Sequence, residues 1–170
     1  MSTEIIVYGL LIIATILFCI KIGIQIYSIP IKWKVNNKEV AIKMLIEDIK
    51  RAKKRILIYG GSGETYNTNG ILEALRQKET PIKMVFQDKN FENTRLWELA
   101  KEKRNLSLGF IDGDTFQGHF RVIDHDYVYI EKKHARGSDK RPYKRFKNAR
   151  FLPAKYAQQF STIASSATII

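Results

Sequence analysis

Cysteine is nearly absent: Cys19 stands alone among 170 residues. One thiol cannot form an intrachain disulfide or a cysteine-based zinc site, and its isolation fits a reducing compartment. Acidic residues are also scarce, 17 against 29 lysines and arginines, giving a net charge of +12. That excess implies an anionic partner: nucleic acid, lipid headgroups or an acidic protein. The chain contains neither GxGxxG nor GxxxxGK[ST], so it carries no standard dinucleotide fingerprint and no P-loop. It has no internal repeat and no low-complexity tract, and nothing in it asks for a cofactor.

The charge is unevenly spread, because the first 31 residues hold only Glu4 and Lys21. Between Ile5 and Ile20 there is no charge at all, and the apolar pattern runs on to Tyr27 before Pro30 closes it. A helix over 5–28 would reach about 36 Å, enough for a bilayer core of roughly 30 Å. Glu4 replaces the basic start of a signal peptide and no clean cleavage site follows, so an uncleaved anchor is expected over residues 1–30. Lys32, Lys34 and Lys38 flank it. The positive-inside rule then puts the N-terminus outside and the rest in the cytoplasm, as a single-pass protein with the lipid bilayer as its first partner.

Residues 31–37 read as a linker, and 38–170 suit one α/β domain. Asn36 or Asn37 caps a helix whose apolar face is Ile42, Leu45, Ile46, Ile49 and Ala52. Arg55 to Tyr59 is a buried strand ending at Gly60 and Gly61, and a helix with Ile71, Leu72 and Leu75 follows. Pro81 to Gln87 is a second strand, Asn93 or Thr94 caps a helix bearing Leu96, Trp97 and Leu99, and Leu106 to Ile111 is a third strand. Helix and strand alternate, which predicts a mostly parallel sheet covered on both faces. After Gly118 the rhythm becomes a hairpin, 119–123 and 127–131, around Asp124, His125 and Asp126. Residues 132–150 read as a basic loop, and Pro153 opens a last helix with Tyr156, Ala157, Phe160 and Ile163 on one side.

Two places offer chemistry. Gly61, Ser62 and Gly63 form a loop whose amides can approach a phosphate, although a tight strand-to-helix turn explains the same glycines. All three histidines fall between 119 and 134. Strand alternation turns His119 and Arg121 the same way, so an imidazole can act at a phosphate held by the guanidinium while Glu131 or His134 orients it or donates. Solvated polar residues at a hairpin end are the plain alternative. A metal site from His119, Glu131 and His134 is weaker, since ExxH on a strand does not place both side chains on one face.

The order of elements, together with RILIYG, NGILEAL, PIKMVFQD, the hairpin and AKYAQQF, resembles the half-domain of the phospholipase D-like superfamily over roughly 38–165. That half-domain carries HxKxxxxD on its hairpin and GSxxN shortly after. His119, Arg121 and Asp126 match the first motif with arginine for lysine. The resemblance implies a histidine nucleophile, a cation on the phosphate and a second half-domain supplying the acid, hence a homodimer or larger assembly. A second register takes Asp124 as the hairpin acid and puts Gln117 and His119 at the His and Lys positions and Glu131 at the glycine. In neither register does GSxxN follow where it should, because Gly137 and Ser138 come late.

Nine lysines and arginines fill residues 132–150, with Tyr143 and Phe146 among them. Such a run suits single-stranded nucleic acid or an anionic leaflet, and a solvated loop is the simpler account. Lys140, Arg141, Lys144 and Arg145 are the candidate phosphate contacts. The sequence therefore predicts an anchored, basic phospholipase D-like domain that binds a phosphate-bearing ligand without efficient catalysis. An active dimeric phosphodiesterase and a membrane scaffold for a protein partner are the alternatives.

Overall fold

The computed structural model describes residues 3–27, 31–87, 92–111, 118–131, 140–147 and 151–169, with the backbone alone for 3–7, 23–27 and 140–142. In chain order the elements are α1 (Thr3–Tyr27), β1 (Ile31–Asn37), α2 (Lys38–Arg51), β2 (Ile56–Gly60), α3 (Asn69–Arg76), β3 (Ile82–Phe86), α4 (Arg95–Glu102) and β4 (Leu106–Phe110), followed by β5 (His119–Ile123), β6 (Tyr127–Glu131), β7 (Lys140–Lys147), α5 (Leu152–Ser165) and β8 (Thr168–Ile169). The strands form one sheet in the order β1-β7-β6-β5-β2-β3-β4-β8.

β2 lies at the centre because all five of its residues are buried, as expected of a strand covered on both faces. Ile56 and Ile58 join Ile82, Met84, Phe86 and Leu108 beneath Leu45 and Ile49 of α2, Leu72 and Leu75 of α3, and Leu96 and Leu99 of α4. Leu57 and Tyr59 turn the other way, to Val85, Phe120 and Val122 beneath Ala157, Phe160 and Ile163 of α5. Asn37 caps α2 by accepting from the amides of Glu39 and Val40, and Thr94 caps α4 by accepting from Trp97.

The sheet is mixed, which corrects the expectation of a mostly parallel one. β2–β3 and β3–β4 are parallel; every other pairing, β8 on β4 included, is antiparallel. Two segments account for much of the difference. Residues 31–37, read as a linker, are an edge strand, and 140–147, read as loop, is the strand it pairs with, Trp33 opposite Arg145 and Val35 opposite Tyr143. Charge hid this strand, since one of its inward positions is an arginine. Arg145 Nη2 donates to Asp48 Oδ1 of α2 at 2.7 Å, and Asp48 is fully buried. Burial raises the Asp48 pKa, and the Arg145 charge opposes that rise.

The expected membrane anchor is also corrected. Among the described residues no helix is long and apolar enough to cross a membrane. The side chains described in α1, Tyr8 to Ile22, are all exposed. The single-pass localisation, with its N-terminus outside and its domain in the cytoplasm, loses its basis with the anchor.

The hairpin turn is fixed by Asp124, which sits at φ 55 in the left-handed region that aspartate tolerates better than most residues. Its Oδ2 accepts from the Lys53 amide at 2.8 Å, and its Oδ1 from the Lys54 and Arg55 amides at 2.7 and 3.0 Å. Partial burial works to raise its pKa, but these three bonds outweigh it and hold the carboxyl below its ordinary range. A depressed carboxylate stabilises the fold fully above its unfolded pKa, about 3.9, and loses that contribution as pH falls through the lower folded value. Asp124→Ala should cost about 2–3 kcal/mol in urea unfolding at pH 7, from lost charge-assisted bonds. The difference from wild type should shrink as the pH is taken below about 4; a gap unchanged at pH 2 would show that the carboxylate bonds are not its source.

Candidate functional site

The C-terminal ends of the parallel strands and the start of β5 bring one predicted group together. His119 opens β5 directly opposite Glu131 on β6, its Nδ1 3.7 Å from Glu131 Oε2. Glu131 is buried, while the His119 side chain keeps 28% of its exposure. The loop after β2 reaches the same place. A Cβ at Gly61 would lie 3.2 Å from His119 Cε1, so glycine there lets the backbone close on the imidazole. Gly63 adopts φ 72 and leads into a short 3₁₀ turn, Glu64–Asn67, ahead of α3. Gly61, Ser62 and Gly63 thus lie beside the histidine instead of forming the N-terminus of an α-helix.

Arg121 lies two residues further into β5 and is buried, only 7% exposed. Its Nε donates to the Tyr66 hydroxyl at 2.6 Å and its Nη2 to the Tyr143 hydroxyl at 3.4 Å. The rings of Tyr66, Tyr143 and Tyr129 lie around it, with centroids 5.6, 5.0 and 5.9 Å from Cζ. Burial alone would lower the arginine pKa, but the neighbouring Tyr66, Tyr143 and Glu131 reverse this and raise it. The same desolvation pushes the Tyr66 hydroxyl up to about 12, so it stays a neutral phenol. A shallow crevice is lined by His119, Arg121, Glu131 and Tyr143, among others.

The remaining candidates scatter. Asp126 is exposed at the far end of the hairpin, whereas Asp124 makes the structural bonds. His134 and Gln117 fall outside the described residues, as do the side chains of Lys140 and Arg141. Arg145 is held by Asp48 and by the rings of Tyr127, Trp33 and Tyr129, at 4.5, 4.9 and 5.6 Å. Strand alternation sends Lys144 to the opposite face, level with Lys34, while Phe146 stands level with Lys32. No cluster of three His, Cys, Asp or Glu side chains among the described residues is placed to hold a metal. Sequence reasoning missed Tyr66 and Asp48, each the buried partner of an arginine; the signal available was an aromatic or acid on an otherwise apolar face.

The chain matches no family model and no curated protein. Solved structures match it over most of its length. Nuc from Salmonella typhimurium, a phospholipase D family member, is 14% identical, with a TM-score of 0.64 over 84% of this chain and 99% of its own. NucT from Helicobacter pylori is 11% identical, with a TM-score of 0.64 over 82% and 99%. The chain has a phospholipase D-like fold. TrmBL2, an archaeal chromatin protein with a novel mode of DNA binding, is 18% identical at a TM-score of 0.66; 82% of this chain covers 53% of that one, about half its length. These identities establish the fold alone.

Arg121 is enclosed well enough that its removal should be felt as a loss of stability. Arg121→Ala strands the Tyr66 and Tyr143 hydroxyls and removes the guanidinium charge near the buried Glu131. It should lower unfolding free energy by about 3–5 kcal/mol, the range for breaking a buried charged arrangement. Arg121→Lys should recover part of this, since an ammonium keeps the charge but not the guanidinium fork. A stable Arg121→Ala protein with weakened oligonucleotide binding would instead make Arg121 a ligand contact.

Proposed function

We propose that this domain binds nucleic acid through its phosphates and does not hydrolyse them. The observation that carries this reading is the enclosure of Arg121: in the first motif register this is the cation that should hold the phosphate, and its guanidinium is occupied by Tyr66, Tyr143 and the surrounding rings. In the second register His119 takes the cation's place, beside Glu131. Either way, the pairing of an exposed nucleophile with a free cation is missing among the described side chains. Such a binding role needs no second copy of the chain to complete a catalytic pair.

The surface best suited to phosphates is the outer face of the β1–β7 ribbon. Lys32 and Lys34 are exposed there, with Lys144 and Phe146 half-buried beside them. Lysines flanking an aromatic ring suit a single strand, in which phosphates meet the ammonium groups and a base stacks. The net charge of +12 adds attraction at longer range. TrmBL2, with a similar fold, is a DNA-binding chromatin protein, which supports the reading.

The test is fluorescence anisotropy of the full chain with a labelled single-stranded oligonucleotide across a salt series, beside hydrolysis of bis(p-nitrophenyl) phosphate by wild type and His119→Ala. Binding should weaken steeply with salt, and no hydrolysis should be detectable. Lys32→Glu with Lys34→Glu should weaken binding tenfold or more and flatten the log–log salt slope by about 1.4, at roughly 0.7 per single-strand phosphate contact. Hydrolysis that disappears in His119→Ala would overturn the proposal in favour of a working phosphodiesterase. Capture of anionic vesicles in preference to oligonucleotide would overturn it in favour of lipid headgroups.

A further inference from the structure

A second recess lies at the other end of the sheet from His119. It is a half-open groove of about 570 Å³ where the strands β2, β3 and β4 begin, between their α5-facing side and the C-terminal half of α5. That volume is within the range of small-molecule sites, roughly 300–1,000 Å³. Val85, Phe160 and Ala164 give it an apolar wall, and Lys54, Arg55 and Lys83 bring three cations to it. No carboxylate lines it among the described residues. The Arg55 Nε is buried without a hydrogen-bond partner among those residues, a donor whose desolvation nothing there offsets.

We infer that this groove binds a small anionic amphiphile, a phosphate- or carboxylate-headed alkyl chain, with the head at Lys54, Arg55 and Lys83 and the tail along Val85, Phe160 and Ala164. The lining distinguishes this ligand from a nucleotide or a sugar. It contains no Asn, Gln, Asp or Glu to read a base edge or hydroxyls. The Ser161 and Ser165 hydroxyls already donate to the Ala157 and Thr162 carbonyls of their own helix. What the groove offers is cations at one side and hydrocarbon at the other, which is the pattern of an acyl anion. The site borders the hairpin turn, where Arg55 Nη2 lies 3.5 Å from His125 Nδ1, but it is separate from the His119 crevice and does not depend on the nucleic-acid reading.

Calorimetric titration of the full chain with decyl phosphate and with decanoate, both below their micelle concentrations, tests this. Decanol and inorganic phosphate serve as the headless and tailless controls. At least one of the two anions should bind saturably while both controls bind at least tenfold more weakly, and the stronger anion identifies the head. Lys54→Glu with Lys83→Glu should reduce affinity tenfold or more. Ala164→Trp, which fills the groove from α5, should abolish binding while the thermal unfolding transition of the chain persists. Equal binding by wild type and folded Ala164→Trp would place the ligand elsewhere, for example on exposed α1, and overturn the inference. Equal affinity for decanol, or no binding of either anion, would also overturn it.

Discussion

Two guanidinium groups, those of Arg121 and Arg145, lie on the α2-facing side of β5 and β7, where a cation persists only if its surroundings replace the water it has lost. The replacement is built by strand register. Arg121 stands opposite Tyr129 and Tyr129 opposite Arg145, while Arg145 stands opposite Trp33, so cation and ring alternate across four strands. Tyr66 closes one end of this row, and Asp48 supplies the anion at the other. A one-residue slip of β7 would turn Arg145 to the far face and bring Lys144 under α2 beside Asp48. The row therefore fixes the register of the hairpin half of the sheet, and through β5 it fixes where His119 and Glu131 meet.

That constraint underlies the proposed binding role. A phosphoryl-transfer site needs a nucleophile and a cation that both reach the same phosphate. Here the motif spacing from His119 to Arg121 is kept, but the cation is committed to the interior. Tyr66 holds it as a neutral phenol, its pKa raised to about 12 by burial, so the hydroxyl can accept from Arg121 without bringing a second charge. His119 borders the crevice, while Arg121 is enclosed by Tyr66, Tyr143 and Tyr129.

The sequence was most legible where burial is two-sided or caps are explicit. The run from Ile56 to Gly60, the Asn37 and Thr94 caps and the hairpin around Asp124 all stand where periodicity and cap chemistry put them. It was least legible where an inward position is charged. Arg145 made 140–147 look like a solvated loop, and without that strand β1 had no partner and read as a linker. Of the four cations proposed as one phosphate cluster, Lys144 and Arg145 part for the same reason: alternation sends Arg145 inward and Lys144 outward, which cannot be seen until the segment is known to be a strand. Spacing placed His119 and Arg121 on one face, but it could not show that Tyr66, 55 residues away in sequence, closes over one of them.

Asp124 is the hairpin residue on which the junction with the central strand is built. Asp126 is the acid in one motif register and Asp124 in the other; Asp126 is exposed, and Asp124 gathers three amides of the segment leading into β2. Those amides precede a buried strand, so the carboxylate joins the end of α2, the start of β2 and the β5–β6 turn in one place. Its role is architectural: it holds the hairpin against the central strand. The same junction presents Lys54 and Arg55 at the end of the sheet remote from His119, so the bonds that order the turn also position two of the cations at the second groove.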